Sequence, residues 1–203
     1  MTQEQVSYYE NFTEIEKKIW SLLIRAVNDR NSEFRTPVFI CRNNNDLDGR
    51  VVVLRKADEK NNLLQFHSDI RSTKIEAIKK NSNNSLLFYG KKEKIQIRMK
   101  IKSEIHYDNE ITKSSWEKTG HISRKCYLVT EGPGTKSENP TSGLDSKLDN
   151  FDFTKEESEK GYKNFCVIKC YIKSIEWLYL AAKGHRRALI DLNGDKKYTW
   201  LVP

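Results

Sequence analysis

Apolar positions along the chain follow one period before Pro37 and another after it. Upstream, Ile15, Ile19, Leu22, Leu23, Ala26 and Val27 recur at the spacing of one helix face. Thr13-Glu14-Ile15-Glu16 at the start of that stripe has capping-box spacing, where the Thr hydroxyl and the Glu16 carboxylate satisfy the first free amides. The pattern predicts an amphipathic helix within residues 1–31, ending near Asn31, whose apolar face must pack on something. Downstream the period falls to two. Segments 38–41, 50–55, 63–67, 85–89 and 94–107 read as strands, with turns over 43–49 and 59–62. The alternation is cleanest where Ile95, Ile97, Met99 and Ile101 interleave with Gln96, Arg98 and Lys100, so one face is buried and the other polar.

Helical patterns return over 73–81, 108–119 and 122–129, and the acidic stretch 151–160 reads as another short helix. The stretch 131–150 begins Glu131-Gly132-Pro133-Gly134 and is rich in Ser, Asn and Asp, the chemistry of a loop that is expected to be mobile. Strands over 165–180, 186–192 and 198–202 close the chain, the last two joined through Asn193-Gly194-Asp195. Mostly antiparallel strands with short helices at the ends imply an α+β domain around a barrel. No internal repeat is present. The 203 residues suit a single domain, 1–203, with one sizeable core.

Charge changes this picture little. The formal net charge is +8, from 36 Lys and Arg against 28 Asp and Glu. The lysine pairs Lys79-Lys80 and Lys91-Lys92 are interleaved with acids and asparagines, as on a solvated face. Attraction to small phosphorylated molecules is as good a reading as RNA binding. No apolar run approaches the ~20 residues of a membrane span, and a polar segment follows Met1, so a soluble cytoplasmic protein is expected. Cys41, Cys126, Cys166 and Cys170 form no CxxC pair and lie in apolar runs; they read as buried free thiols, with no metal site.

Two stretches carry candidate chemistry. Arg50-Val51-Val52-Val53-Leu54-Arg55 places a cation at each end of an apolar run. Phe66-His67-Ser68-Asp69-Ile70-Arg71-Ser72-Thr73-Lys74 leads straight into a helix, which puts Ser72 and Lys74 at its N-terminus. Free amides and the positive end of the helix dipole favour a phosphate there. Local chemistry alone suits a solvated strand end and an ordinary Ser N-cap equally well.

These residues resemble the pyridoxamine 5'-phosphate oxidase family, the FMN-binding split β-barrels, over about four-fifths of the chain. Residues 50–55 resemble the family's R-x-V-x-L-[KR] strand, and residues 66–74 its aromatic/His-[ST]-[DN]-x-x-S-x-K turn. Gln96, in Gln-Ile-Arg, stands where the family has its flavin-contacting glutamine. Trp116, Ser123-Arg124, Gly132-Pro133-Gly134, Ile175-Glu176-Trp177, Gly184-His185-Arg186-Arg187 and Trp200-Leu201-Val202-Pro203 resemble the oxidase-related branch. The resemblance implies an antiparallel split β-barrel with Greek-key topology, an N-terminal helix and short peripheral helices.

It also implies FMN as cofactor. Arg50, Arg55, Lys74, Ser68 and Ser72, with His67 and Arg71 of the same turn, would hold the phosphate and ribityl chain. The backbone of Val51, Val52 and Val53 would pass along the isoalloxazine edge, and Gln96 would reach the pyrimidine side. Trp177 and Arg187 would close the site from the second subunit of a homodimer. Ser123, Arg124 and His185 are the stand-ins for a substrate grip. The oxidase's first substrate-holding arginine has no counterpart, because Lys183-Gly184 precede His185. No Gly-x-Gly-x-x-Gly turn offers a pyrophosphate cradle, which points to FMN rather than FAD. No catalytic acid or base is assigned, nor any role to His106 and His121. The function expected is an FMN-dependent oxidoreductase with an unassigned substrate; a flavin-storing module and a basic nucleic-acid-binding barrel are the alternatives.

Overall fold

A computed structural model describes residues 7–150 and 153–203. Helix α1, Phe12–Asn28, buries Ile15, Ile19, Trp20, Leu22, Leu23 and Ala26 along one face. Each Ile or Leu side chain taken out of water here contributes about 1.5–3 kcal/mol. Its N-cap is Asn11, whose side chain accepts from the Glu14 amide at 3.1 Å, and not Thr13 as the sequence pattern suggested. Starting earlier brings Phe12 into the helix, and its ring stacks on Trp200 at 4.3 Å. The helix also stops short of Asn31. Arg35 donates to the carbonyls of Ala26 and Val27, closing the last turn with a cation at the negative end of the dipole.

The strands are β1 Val38–Asn43, β2 Asp46–Val51, β3 Leu54–Asp58, β4 Leu63–Asp69, β5 Asn83–Gly90, β6 Ile95–His106, β7 Phe165–Tyr179, β8 Arg186–Asp191 and β9 Lys197–Leu201. Among the described residues they form one antiparallel sheet in the order β2-β1-β5-β6-β7-β4-β3, with β8 and β9 added beside β7. Consecutive strands β2 and β3 thus lie at opposite edges of the path. The expected single strand over 50–55 is therefore two strands, broken at Val52-Val53, where the chain crosses between edges and the Val52 amide donates to the Pro37 carbonyl. An unbroken Val run carries no turn residue to announce such a break. The expected turn over 43–49 is a tight hairpin instead, with Asn44 at φ 56° and strand pairing resuming at Asp46.

The split lies in β7. Its first half pairs with β4 and its second half with β8, while β6 runs along the whole of its other edge. Lys173 is the extra residue of a bulge between the halves. The interior is filled by Phe39, Phe66, Leu86, Phe88, Ile97, Met99, Ile175 and Trp177 with the apolar face of α1. Gly90 is required there, since a Cβ would lie 2.4 Å from the Phe34 ring. These elements realise the α+β split-barrel class expected from the sequence.

The peripheral helices are α2 Thr73–Lys80, α3 Glu110–Glu117, α4 His121–Arg124, α5 Ser146–Asp149 and α6 Lys155–Ser158. The helix expected over 122–129 is only α4 followed by a 3-10 turn, Lys125–Tyr127. Of the helix expected over 151–160, residues 151 and 152 lie outside the described residues, and the remainder starts at the Thr154–Glu157 capping box. The loop over 131–150 carries α5. Trp116, Tyr127, Phe165 and Val167 make a second, smaller core beneath α3. No helix among the described residues is long and apolar enough to cross a membrane.

Candidate functional site

Strand β4 ends in Ser68-Asp69, a turn follows, and Ser72 caps α2 in extended conformation. That geometry aims three side chains at one point. Lys74 Nζ donates to Ser68 Oγ at 2.8 Å and to Ser72 Oγ at 2.9 Å, and the two hydroxyls lie 3.3 Å apart. Ser68 and Ser72 are 5% and 3% exposed. The Ser72 side chain makes no capping bond to its own helix, so the ordinary N-cap reading fails. Burial, then the Arg50 charge, pull the Lys74 pKa below the usual lysine range.

Arg50 reaches the same place from β2. Its Nη1 donates to Thr73 Oγ1 at 3.4 Å, its Nη2 is paired with Asp48, and its Nε is buried without a partner. At the start of α2 the Ile75 amide already donates to the Ser72 carbonyl at 2.9 Å, which leaves the Thr73 and Lys74 amides as the helix N-terminal donors. The result is two cations, three hydroxyls and a helix N-terminus around one spot. Beneath it lie Cys166, which donates to the Ser68 carbonyl at 3.2 Å and whose thiol burial pushes up to about 12, and buried Cys41. Both are inert thiols. Cys126, expected to be buried with them, is exposed on the 3-10 turn after α4, because that segment is too short to present an apolar face to the core.

The structure does not bring Arg55 into this cluster. With Ser123 it lines two neighbouring open cavities. One, of about 890 Å³, has Gln65 and His67 of β4, Lys169 of β7, Arg30 after α1, and Ser115 and Lys118 on its walls. The other, of about 910 Å³, lies under the loop from Val129 to Leu144 and includes Cys126. Arg55 has no carboxylate partner among the described residues. His67 sits edge-on to Phe165 at 4.8 Å, and its Nε2 lies 3.3 Å from Gln65 Nε2. Burial, then the nearby Arg55 charge, lower the His67 pKa to about 3, so the ring is neutral at pH 7.

Two expected ligand-binding arginines are committed elsewhere. Arg71 makes a bidentate pair with Asp69 and donates to the carbonyls of Val129 and Thr130. Arg124, 2% exposed, donates to the carbonyls of Thr119 and Trp116, pairs with Glu159, and lies 4.5 Å over the Trp116 ring. It pins α3 to α4 and offers no surface to a substrate. Ser123 is left on the cavity rim. His185 is exposed, and its Nδ1 accepts from the Ala181 amide at 3.1 Å within the β7–β8 turn.

The remaining expected residues lie on the opposite part of the sheet. Register places Tyr89, Gln96, Leu178, Arg187 and Leu201 in one row across β5, β6, β7, β8 and β9. Gln96 and Arg187 are half-buried on the outer face, and Arg187 is held by Glu176, which also pairs with Arg98. Trp177 is 0% exposed on the inner face. Side chains alternate along a strand, so Leu178, not Trp177, shares the face of Gln96 and Arg187. Val51 is exposed, whereas Val52 faces inward. Sequence reasoning missed Thr73, Gln65, Lys118 and Leu178. Gln65 was findable, being two residues before His67 on the same strand face; Lys118 was not, since only the packing of α3 brings it to Arg55's cavity.

Residues 19–106 match the family model described as pyridoxamine 5'-phosphate oxidase, FMN-binding domain. Among solved structures, a pyridoxamine 5'-phosphate oxidase-related, FMN binding protein from Nostoc punctiforme superposes with a TM-score of 0.74 at 16% identity, covering 92% of this chain and 97% of that one. PhzG from Burkholderia lata, solved with tetrahydrophenazine-1-carboxylic acid, gives 0.72 at 16% identity, covering 96% of each chain. ChuZ from Campylobacter jejuni gives 0.55 at 11% identity, covering 93% of this chain and 63% of that one. At these identities the superpositions speak for the fold. No curated protein sequence matches. Residues 19–106 are thus similar to the pyridoxamine 5'-phosphate oxidase-related FMN-binding domain, and the chain as a whole has the split-barrel fold of these structures.

Proposed function

We propose that this protein binds FMN and works as a flavin-dependent oxidoreductase on a small anionic substrate. One observation carries the reading: among the described residues the Lys74 ammonium is held by two nearly buried hydroxyls and hydrogen-bonds to no carboxylate, beside Arg50, Thr73 and the start of α2. A half-buried cation hydrogen-bonded only to neutral groups favours an added anion, and a phosphomonoester fits this donor set. Lys74, Ser68, Ser72, Thr73 and Arg50 would hold the phosphate. The ring would run along the backbone of Val51–Val53, where the chain leaves β2. Gln96 and Arg187, on the outer sheet face, would serve the flavin of a second protomer in a homodimer, with Leu178 in the place first assigned to Trp177.

When bound, FMN supplies the capacity for hydride transfer. The chain's own contribution is binding and orientation. Arg55, without a carboxylate partner among the described residues, with Lys118, Ser115 and Ser123 around the cavity, suits an anionic group of the substrate, although Glu110 also lies on its wall. His67 and Gln65 at its floor offer hydrogen bonds without charge. The turn through Gly184 leaves the pyridoxamine phosphate grip incomplete, so that compound would be a poor substrate. The test is the flavin itself. Purified protein should be yellow and release a compound with the mass of FMN, and reductant-driven oxygen consumption should follow steady turnover. Release of FAD, or no flavin uptake, overturns the cofactor; stoichiometric flavin without turnover favours a storage module.

A further inference from the structure

Arg71 stands between the turn that carries the phosphate donors and the loop that roofs the second cavity. A guanidinium has five N–H donors, and four of these are used here. Nε and Nη2 grip the two Asp69 oxygens at 3.0 and 2.7 Å, Nη1 donates to the Thr130 carbonyl at 2.9 Å, and Nη2 also donates to the Val129 carbonyl at 3.1 Å. Asp69 is itself fixed, closing β4 opposite Phe165 and accepting the Ser72 amide on its carbonyl at 3.2 Å. The loop is tied on its far side, where the Thr130 amide donates to the Gly143 carbonyl at 3.1 Å. Backbone packs directly on the clamp: a Cβ on Gly132 would lie 3.2 Å from the Arg71 Cβ.

We infer that Arg71 is a positioning residue: the Asp69–Arg71 fork holds Val129, Thr130 and Gly132 as a rigid wall of the cavity beside Arg55, and so couples the phosphate turn to the substrate side. Charge alone cannot do this. Only a planar fork can serve a carboxylate and two carbonyls at once, so lysine is not an equivalent. The coupling to FMN rests on the cofactor reading above; the clamp itself does not.

Hydrogen exchange read by mass spectrometry on the full chain tests it. In Arg71→Ala and Arg71→Lys, amides of residues 128–134 should exchange about tenfold faster or more while peptides of β6 and β7 keep their rates. Added guanidinium ion should restore protection in Arg71→Ala. In the wild type, FMN loading should slow exchange in the same peptide, and in Arg71→Ala it should not. FMN affinity should fall less than in Lys74→Ala. Unchanged exchange over 128–134, an equal rise in every peptide, or an FMN loss as large as that of Lys74→Ala would overturn the positioning role. A failure of FMN to bind at all would leave the exchange in cofactor-free protein to decide the clamp by itself.

Discussion

Two sets of cationic side chains in this molecule differ in what neutralises them. Arg71 and Arg124 each carry a carboxylate, Asp69 and Glu159, and spend their other donors on backbone carbonyls. They fasten loop to turn and helix to helix. Among the described residues, Lys74 donates only to hydroxyls and Arg55 has no carboxylate partner. A cation spent on a carboxylate and on carbonyls works for the fold; one with donors left over, as in Lys74, Arg55 and the unpartnered Nε of Asp48-paired Arg50, is stabilised by whatever anion arrives. The distinction separates scaffold from site more sharply than position in the sequence does, since Arg71 and Lys74 are three residues apart.

The largest effect that could break this contrast concerns Arg124. Arg124→Ala removes a buried charge, two carbonyl contacts and the stacking on Trp116, and should destabilise the fold by about 3 kcal/mol. For a chain of this length that lowers Tm by roughly 6–12 °C. Calorimetry checks it; an unchanged Tm would put Arg124 back among the candidate substrate ligands.

Lys74 should behave oppositely. Lys74→Ala should weaken FMN by about 1.5–3 kcal/mol, a ten- to hundredfold rise in Kd by fluorescence titration, with Tm of the cofactor-free protein little changed. Because the folded pKa of Lys74 is lowered, the ammonium is lost earlier than in free lysine as pH rises. Wild-type FMN affinity should therefore fall on the alkaline side before free lysine would titrate, and the variant should lack that limb.

His67 sharpens the comparison through pH. Its folded pKa is about 3 against 6.5 unfolded, so between those values the unfolded chain holds more protons. Stability is complete above pH 6.5 and falls by about 1 kcal/mol per pH unit as pH drops toward 3. Denaturant titrations of His67→Gln should show that slope reduced; an identical slope would mean the ring accepts a proton in the folded state. The smallest effect belongs to Arg55. Arg55→Ala should change FMN affinity by less than about twofold while removing anion binding in its cavity. A loss matching that of Lys74→Ala would return Arg55 to the phosphate.

Period and turn chemistry in the sequence determined much of the architecture. The alternation from Ile95 to Ile101 gave β6 its inner and outer faces, and the heptad-like stripe from Ile15 to Val27 gave α1, because burial depends on which residues share a face. The turn from Ser68 to Lys74 was legible as a phosphate-binding candidate because cap, serine and lysine all act within one local stretch of backbone. Tertiary structure alone decided the rest. The break at Val52-Val53 follows from β2 and β3 lying at opposite sheet edges, which no local preference encodes. Whether Trp177 or Leu178 faces outward was fixed by the register of β7 against β6, where one residue inverts the face. The fate of each arginine was likewise decided at a distance: Arg71 met carbonyls about sixty positions away and Arg124 met Glu159. A cation's role is set by all the acceptors that meet it, and only folding chooses them.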